Sequence, residues 1–155
     1  MEVLQRLRSI ANYQFGRGVG RVLFPENVEV RFSGRTGKVR EVYFGGRLIA
    51  TLKPTGNLSL TVEGFRRIVD VFKPPRFRVV VCGEAVRFVR EGRNVFAKHV
   101  RDADLEIKPN DEVVVVDEDD RVLAVGKAVL TGREMLVFRR GVAVKVRHGI
   151  KRKKV

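Results

Sequence analysis

Two adjacent prolines in Lys73-Pro74-Pro75-Arg76 divide the chain into halves with different patterns. Proline lacks a backbone N–H and fixes φ, so the pair ends any helix that reaches it and sets an extended connector. Ahead of it, apolar residues recur at both helical and strand spacing. Behind it they fall into closely spaced short strands. The expected organisation is two domains, residues 1–74 and 75–155, in a chain of 155 residues, a length that suits one medium domain or two small ones.

In the first half, residues 2–13 place Val3, Leu4, Leu7, Ile10 and Ala11 at helical spacing, with Arg6 and Arg8 outside the stripe. Gly16-Arg17-Gly18-Val19-Gly20 ends this helix. Its glycine spacing suggests a dinucleotide loop, but that fingerprint needs strand, glycines and helix in order. Here a helix precedes and strands are expected to follow, so the fingerprint is rejected. Two readings remain: a flexible turn, or a loop whose small residues let a backbone phosphate approach Arg17 and Arg21. Strands are expected at residues 28–32 (Val28, Val30 and Phe32 inward), 39–44 and 47–52. Ser33-Gly34-Arg35-Thr36-Gly37-Lys38 forms a basic tip between the first two. Gly45-Gly46 is a two-residue hairpin signal between the others. Pro54-Thr55-Gly56-Asn57 turns the chain again, and Thr61 suits the N-cap of a helix over residues 62–72, with Phe65, Ile68, Val69 and Phe72 as its apolar stripe.

The second half reads as strands at residues 77–82, 95–100, 112–116, 122–130 and 142–148, with Thr131 opening a short helical turn through residues 135–138. Five or six short strands with one clear helix indicate a small closed or nearly closed barrel. The fold class is α+β: helices flanking a short antiparallel sheet, then a β-barrel with one main helix. Residues 85–100 are the centre of this half. Ala85, Phe88 and Val89 share one helical face, Gly92 stops the helix, and Arg93-Asn94 leads into a strand. This elbow presents backbone N–H groups, Arg90, Arg93 and Lys98 to solvent as an anion perch. The alternative is a plain helix-to-strand connection with solvated charges.

Charge favours the perch. The chain has 32 Lys+Arg against 18 Asp+Glu, a net +14. Residues 139–155 hold eight bases and no acid, whereas residues 102–120 hold nine acids and one base, Lys108. Such segregation suits a polyanionic partner, for which nucleic acid is the intracellular default. Generic surface charge accounts for abundance but not for a positive excess. Other classes fall away. No apolar run approaches the roughly 20 residues of a membrane span, and residues 1–14 do not form a secretory signal, so a cytoplasmic protein is expected. Cys82 alone makes no internal disulfide or iron–sulfur cluster, and His99 and His148 are too few for a typical catalytic zinc. No metal, cofactor or catalytic residue is expected: GxSxG, HExxH and P-loop motifs are absent. Asp117-Glu118-Asp119-Asp120 reads as a hairpin tip of solvated acids rather than a magnesium site.

These pieces, taken in order, carry a resemblance. Helix 85–90, Gly92, strand 95–100, Ile107-Lys108-Pro109-Asn110-Asp111-Glu112-Val113, Val122-Leu123-Ala124-Val125-Gly126-Lys127-Ala128 and Gly141-Val142-Ala143-Val144-Lys145-Val146 resemble a PUA domain over residues 77–151. PUA is the small RNA-binding barrel named for pseudouridine synthases and archaeosine transglycosylases; many members carry glycine where Asn110 stands. Ala11-Asn12-Tyr13-Gln14-Phe15-Gly16-Arg17-Gly18 and Leu23-Phe24-Pro25 are similar to the small domain preceding PUA in archaeal tRNA-guanine (archaeosine) transglycosylases. The resemblance implies the RNA-binding region of such an enzyme without its catalytic barrel. It implies a non-catalytic binder of tRNA near the acceptor stem, or of other structured RNA, acting as a detached subunit or guide for a catalytic tRNA-modification subunit. Two alternatives remain: an RNA-modifying enzyme with an unrecognised site, and a ribosome- or translation-associated module whose acidic segment meets a basic partner.

The resemblance also implies the contact residues: Arg87, Arg90, Gly92, Arg93, Asn94, Val95, Phe96, Ala97 and Lys98, then Lys145, Arg147, His148, Lys151 and Arg152. Gly92 would let the backbone approach phosphate or ribose, and the bases would neutralise phosphates. Phe96 would stack on an unpaired base, or serve the barrel core as strand phenylalanines more often do. Val95 and Ala97 are core or close-approach positions. His148 touches phosphate when protonated, or is an ordinary surface histidine.

Overall fold

The computed structural model describes residues 2–151. The chain forms two compact units that divide between Val71 and Phe72. The first contains α1 (Glu2–Phe15), α2 (Val19–Leu23), β1 (Glu29–Phe32), β2 (Val39–Phe44), β3 (Arg47–Leu52), β4 (Leu58–Leu60) and α3 (Val62–Val69). Its sheet is antiparallel in the order β1-β2-β3-β4. Helix α1 turns Leu7, Ala11 and Phe15 inward. It runs beyond Tyr13 because its last residues have distant partners. Gln14 donates to the Leu58 carbonyl (2.8 Å) and accepts from the Leu58 N–H (2.7 Å). Phe15 meets Phe65 edge-on at 6.1 Å. That clamp also holds β4, a strand the sequence pattern did not show.

Thr61 caps α3 as expected: its hydroxyl accepts from the Gly64 N–H (3.1 Å) and donates to the Leu48 carbonyl (2.7 Å). The helix ends at Val69, short of residue 72. The first strand departs further from expectation. Phe32 is 54% exposed rather than inward, because the β1–β2 register slips between Arg31 and Phe32, and such a slip re-aims the side chain. The glycine-rich segment leads into α2, not into a strand. It is not a flexible turn either: the Asn12 carboxamide oxygen accepts from the Gly20 N–H (2.7 Å), and a Cβ on Gly20 would overlap the Arg8 carbonyl. No strand precedes it, so the dinucleotide fingerprint stays rejected.

The second unit contains β5 (Arg78–Val81), α4 (Gly83–Arg90), β6 (Val95–Phe96), a 3-10 turn (Ala97–His99), β7 (Val100–Ala103), β8 (Glu112–Val116), β9 (Val122–Ala128), α5 (Gly132–Val137) and β10 (Val142–Gly149). The sheet order β6-β10-β9-β8-β5-β7 curls into a nearly closed barrel around Val79, Val81, Val113, Val115, Leu123, Met135 and Val144. β5 and β8 run parallel. The expected strand over residues 95–100 is broken. β6 pairs with β10 while β7 pairs with β5, and the 3-10 turn carries the chain from one partner to the other. Thr131 forms a capping box with Glu134 at the start of α5, which satisfies two backbone donors reciprocally.

The proline connector is not extended. It is a compact turn in which Arg76 donates its N–H to the Lys73 carbonyl (3.2 Å) and Arg78 to that of Pro75 (2.8 Å). The fully buried Arg78 side chain organises it. Its Nε and Nη2 reach both carboxylate oxygens of Asp120 (3.0 and 2.9 Å), and its Nη1 donates to the carbonyls of Phe72 (2.6 Å) and Arg76 (3.0 Å). Asp120 is therefore no solvated hairpin acid but the counter-ion of a buried guanidinium. Asp119 does stay at the surface, paired with Arg121. Among the described residues, no helix is long and apolar enough to cross a membrane.

Candidate nucleic-acid interface

The C-terminus of α4 is closed by its own backbone. Gly92 takes φ +100°, its N–H returns to the Val89 carbonyl (3.0 Å), and the Arg93 N–H returns to that of Phe88 (3.0 Å). This paired pattern is a Schellman motif. It uses the N–H groups that were expected to face an anion, so the elbow offers side-chain cations instead. The motif also folds residue 93 back over residue 88. Arg93 lies 5.5 Å from the Phe88 ring centroid and Arg87 lies 5.8 Å from it. Phe88 is not a core residue: Ala85 and Val89 turn inward, and Phe88 is 44% exposed with both guanidiniums near its ring. Sequence reasoning left it out of the site. The usable signal was an aromatic residue interleaved with bases at positions 87, 90 and 93.

The end of β10 is fastened to this elbow. The Asn94 side-chain oxygen accepts from the Val146 N–H (3.0 Å), and the Lys151 N–H donates to the Arg90 carbonyl (2.9 Å). Asn94 is thus a clip whose oxygen is engaged within the protein. Gly149 makes the approach possible, since a Cβ there would overlap the Arg90 carbonyl oxygen. Replacing Gly149 by alanine is expected to destabilise the second unit by about 1–3 kcal/mol, as overpacking does. A thermal melt checks this, and an unchanged midpoint would mean that β10 can lift off the helix without cost.

From this clip, residues 90–96 run antiparallel along β10, ending where Phe96 opposes Val142. At about 3.3 Å per residue, the eight residues of β10 extend roughly 25 Å. The site is a stripe rather than a point. Arg87, Arg90 and Arg93 stand at one end, with Lys151 beside them, and Lys145 and His148 lie exposed on β10. Phe96 and Lys98 stand towards the other end; Phe96 is 45% exposed, so it is not core.

Three expected contact residues do not present side chains to this stripe. Val95 and Ala97 are buried in the barrel. Arg147 forms a two-pronged ion pair with the buried Glu112, at 2.7 Å (Nη2–Oε1) and 3.1 Å (Nη1–Oε2). That pair neutralises a carboxylate whose burial alone would be costly. Arg152 lies outside the described residues. Among the described residues, no group of three His, Cys, Asp or Glu side chains is arranged to hold a metal ion.

A barrel with a capped helix laid against its last strand defines a class, and the family match agrees: residues 77–150 match the PUA domain. Residues 5–75 match the patch-forming domain C2 of tRNA-guanine transglycosylase. Together the two matches span residues 5–150, a C2-type region followed by a PUA-type region. It is 43% identical over 152 residues to the tRNA-guanine(15) transglycosylase of Thermococcus kodakarensis, covering 97% of this chain and 26% of that protein. It is 47% identical over 148 residues to the same-named protein of Pyrococcus abyssi, covering 95% and 25%. The chain thus spans about a quarter of the length of these relatives. A solved structure of a hypothetical protein from Pyrococcus horikoshii shares the fold, with TM-score 0.78 and 26% identity, covering 98% of this chain and 92% of that one.

Proposed function

We propose that this chain is a non-catalytic RNA-binding protein that holds tRNA along the α4–β10 stripe for a tRNA-modifying enzyme. The observation that carries this reading is the exposed Phe88, with Arg87 and Arg93 close to its ring and the basic end of β10 fastened to the same elbow. An exposed ring with guanidiniums beside it suits an unpaired base flanked by phosphates, the form in which RNA is most often read. The relatives named for tRNA guanine exchange support tRNA as the ligand. In this reading the bond-making chemistry belongs to a catalytic part outside these 155 residues, and the residues described contribute grip and placement.

The test is binding of an unmodified tRNA transcript to the full chain across a salt series. Arg87, Arg90, Arg93, Lys98, Lys145 and Lys151 are the cations of the stripe. At about 0.7–0.9 per neutralised phosphate, they give a log–log salt slope of about −4 to −5. A slope near zero, or no binding at low salt, would overturn the reading.

A further inference from the structure

The last strand carries one residue more than its neighbour. β10 pairs with β9 as Val146 with Gly126 and His148 with Val125, so Arg147 is an extra residue and β10 bulges there. A strand turns successive side chains to opposite faces, and one inserted residue exchanges the faces of everything that follows. Val144 and Val146 pack on the barrel core. Without the extra residue His148 would turn inward after them; with it, His148 is exposed. The chain then reaches the α4 elbow in the right phase. Gly149 lies against the Arg90 carbonyl, and the Lys151 N–H donates to that carbonyl (2.9 Å).

Two features hold the bulge. Gly126, opposite Val146, leaves room for it, since a Cβ there would overlap the Lys145 carbonyl oxygen and crowd the Val146 Cα. The extra residue itself is tied down. The Arg147 guanidinium reaches across β9 to β8, where it meets both carboxylate oxygens of the buried Glu112. A two-pronged pair fixes direction as well as distance, and a carboxylate buried without its cation is costly. The pair therefore resists any slide of β10 that would bring Arg147 into register. We propose that Glu112 is a positioning residue for RNA binding: through Arg147 it holds the bulge that sets Lys151 beside the arginines of the α4 elbow. The inference rests on the reading of the α4–β10 stripe as the RNA site, and it adds to that site a residue that is buried and touches no RNA.

The experiment measures binding of a tRNA transcript to the full chain over a salt series. Glu112→Gln removes an acid, so a charge effect alone would tighten binding. The positioning role gives the opposite sign: binding about tenfold weaker at low salt, as for one lost charge-assisted contact, and a salt slope shallower by about 0.7–0.9, for one phosphate released. Arg147→Lys keeps the net charge but lacks the fork; it is the milder change to the barrel and is expected to act in the same direction. Lys151→Ala completes a cycle. In the wild-type background it should cost the same tenfold and the same slope. In Glu112→Gln or Arg147→Lys it should cost nothing further, because residues that act as one are not additive. A loss of folding stability alone would leave the cycle additive. Wild-type or tighter binding by both variants, no loss from Lys151→Ala in the wild type, or its full loss on top of theirs would overturn the positioning role. In a chain that still loses binding on mutation of Arg90, Arg93 and Lys98, the stripe would stand. A chain that binds no tRNA would overturn both.

Discussion

Replacing Arg90, Arg93 and Lys98 together by alanine is expected to weaken tRNA binding about a thousandfold at low salt and to reduce the salt slope by about 2 to 3. The first figure follows from three charge-assisted contacts at about 1.5 kcal/mol each, and the second from three phosphates no longer neutralised. All three side chains are exposed, so the fold should survive and melting should be nearly unchanged. Phe88→Ala makes the informative companion: it should lower affinity by a stacking contribution, about tenfold, without altering the slope. Filter retention or anisotropy over a salt series separates the two signatures. Wild-type affinity in the triple variant would place the RNA elsewhere on the chain.

A stability loss of about 3 kcal/mol is expected for Asp120→Asn. Breaking a buried pair by removing one partner costs about 3–5 kcal/mol. The lower end applies here because Asp120 is about a third exposed while Arg78 is wholly enclosed. For a unit of this size, about 4–8 °C of melting temperature is lost per kcal/mol, so the midpoint of the second unit should fall by at least about 12 °C. Asp119→Asn, which removes only the surface pair with Arg121, should change stability by less than about 1 kcal/mol. Equal behaviour of the two variants would show that the buried guanidinium does not depend on its carboxylate.

The parts of the fold legible in the sequence were those set by neighbours along the chain. Thr61 and Thr131 announce helices because a hydroxyl three residues ahead of a free N–H is a local arrangement, and Gly45-Gly46 announces its hairpin for the same reason. β4 was hidden: Leu58-Ser59-Leu60 is too short to show a period, and what holds it is Gln14, far back in the chain. The break at Ala97–His99 was easy to miss because Val95, Ala97 and Val100 are all apolar and buried, and the one sign of it is a step of three residues, from Ala97 to Val100, where a strand takes two. In the candidate site, the bases of the α4 elbow could be listed from sequence, but their availability could not. Arg147 looks like its neighbours until β10 slips register between Val146 and His148 and the guanidinium meets Glu112. Phe88 sits at a helical spacing that fits the inward face equally well, and only packing decides that it faces out.

The place of β10 within the barrel bears on the order in which the protein is made. It follows every other strand of the barrel in chain order, yet it lies between β6 and β9 rather than at a margin of the sheet. While the ribosome is still adding residues 142–149, β6 and β9 have unpaired edges and α4 has nothing lying across its end. The first unit has all its strands and helices by Val69 and can close much earlier. Emerging chains that fold from the N-terminal side therefore hold a finished first unit beside an open barrel, whose strand edges are exposed to aggregation until the final strand is inserted.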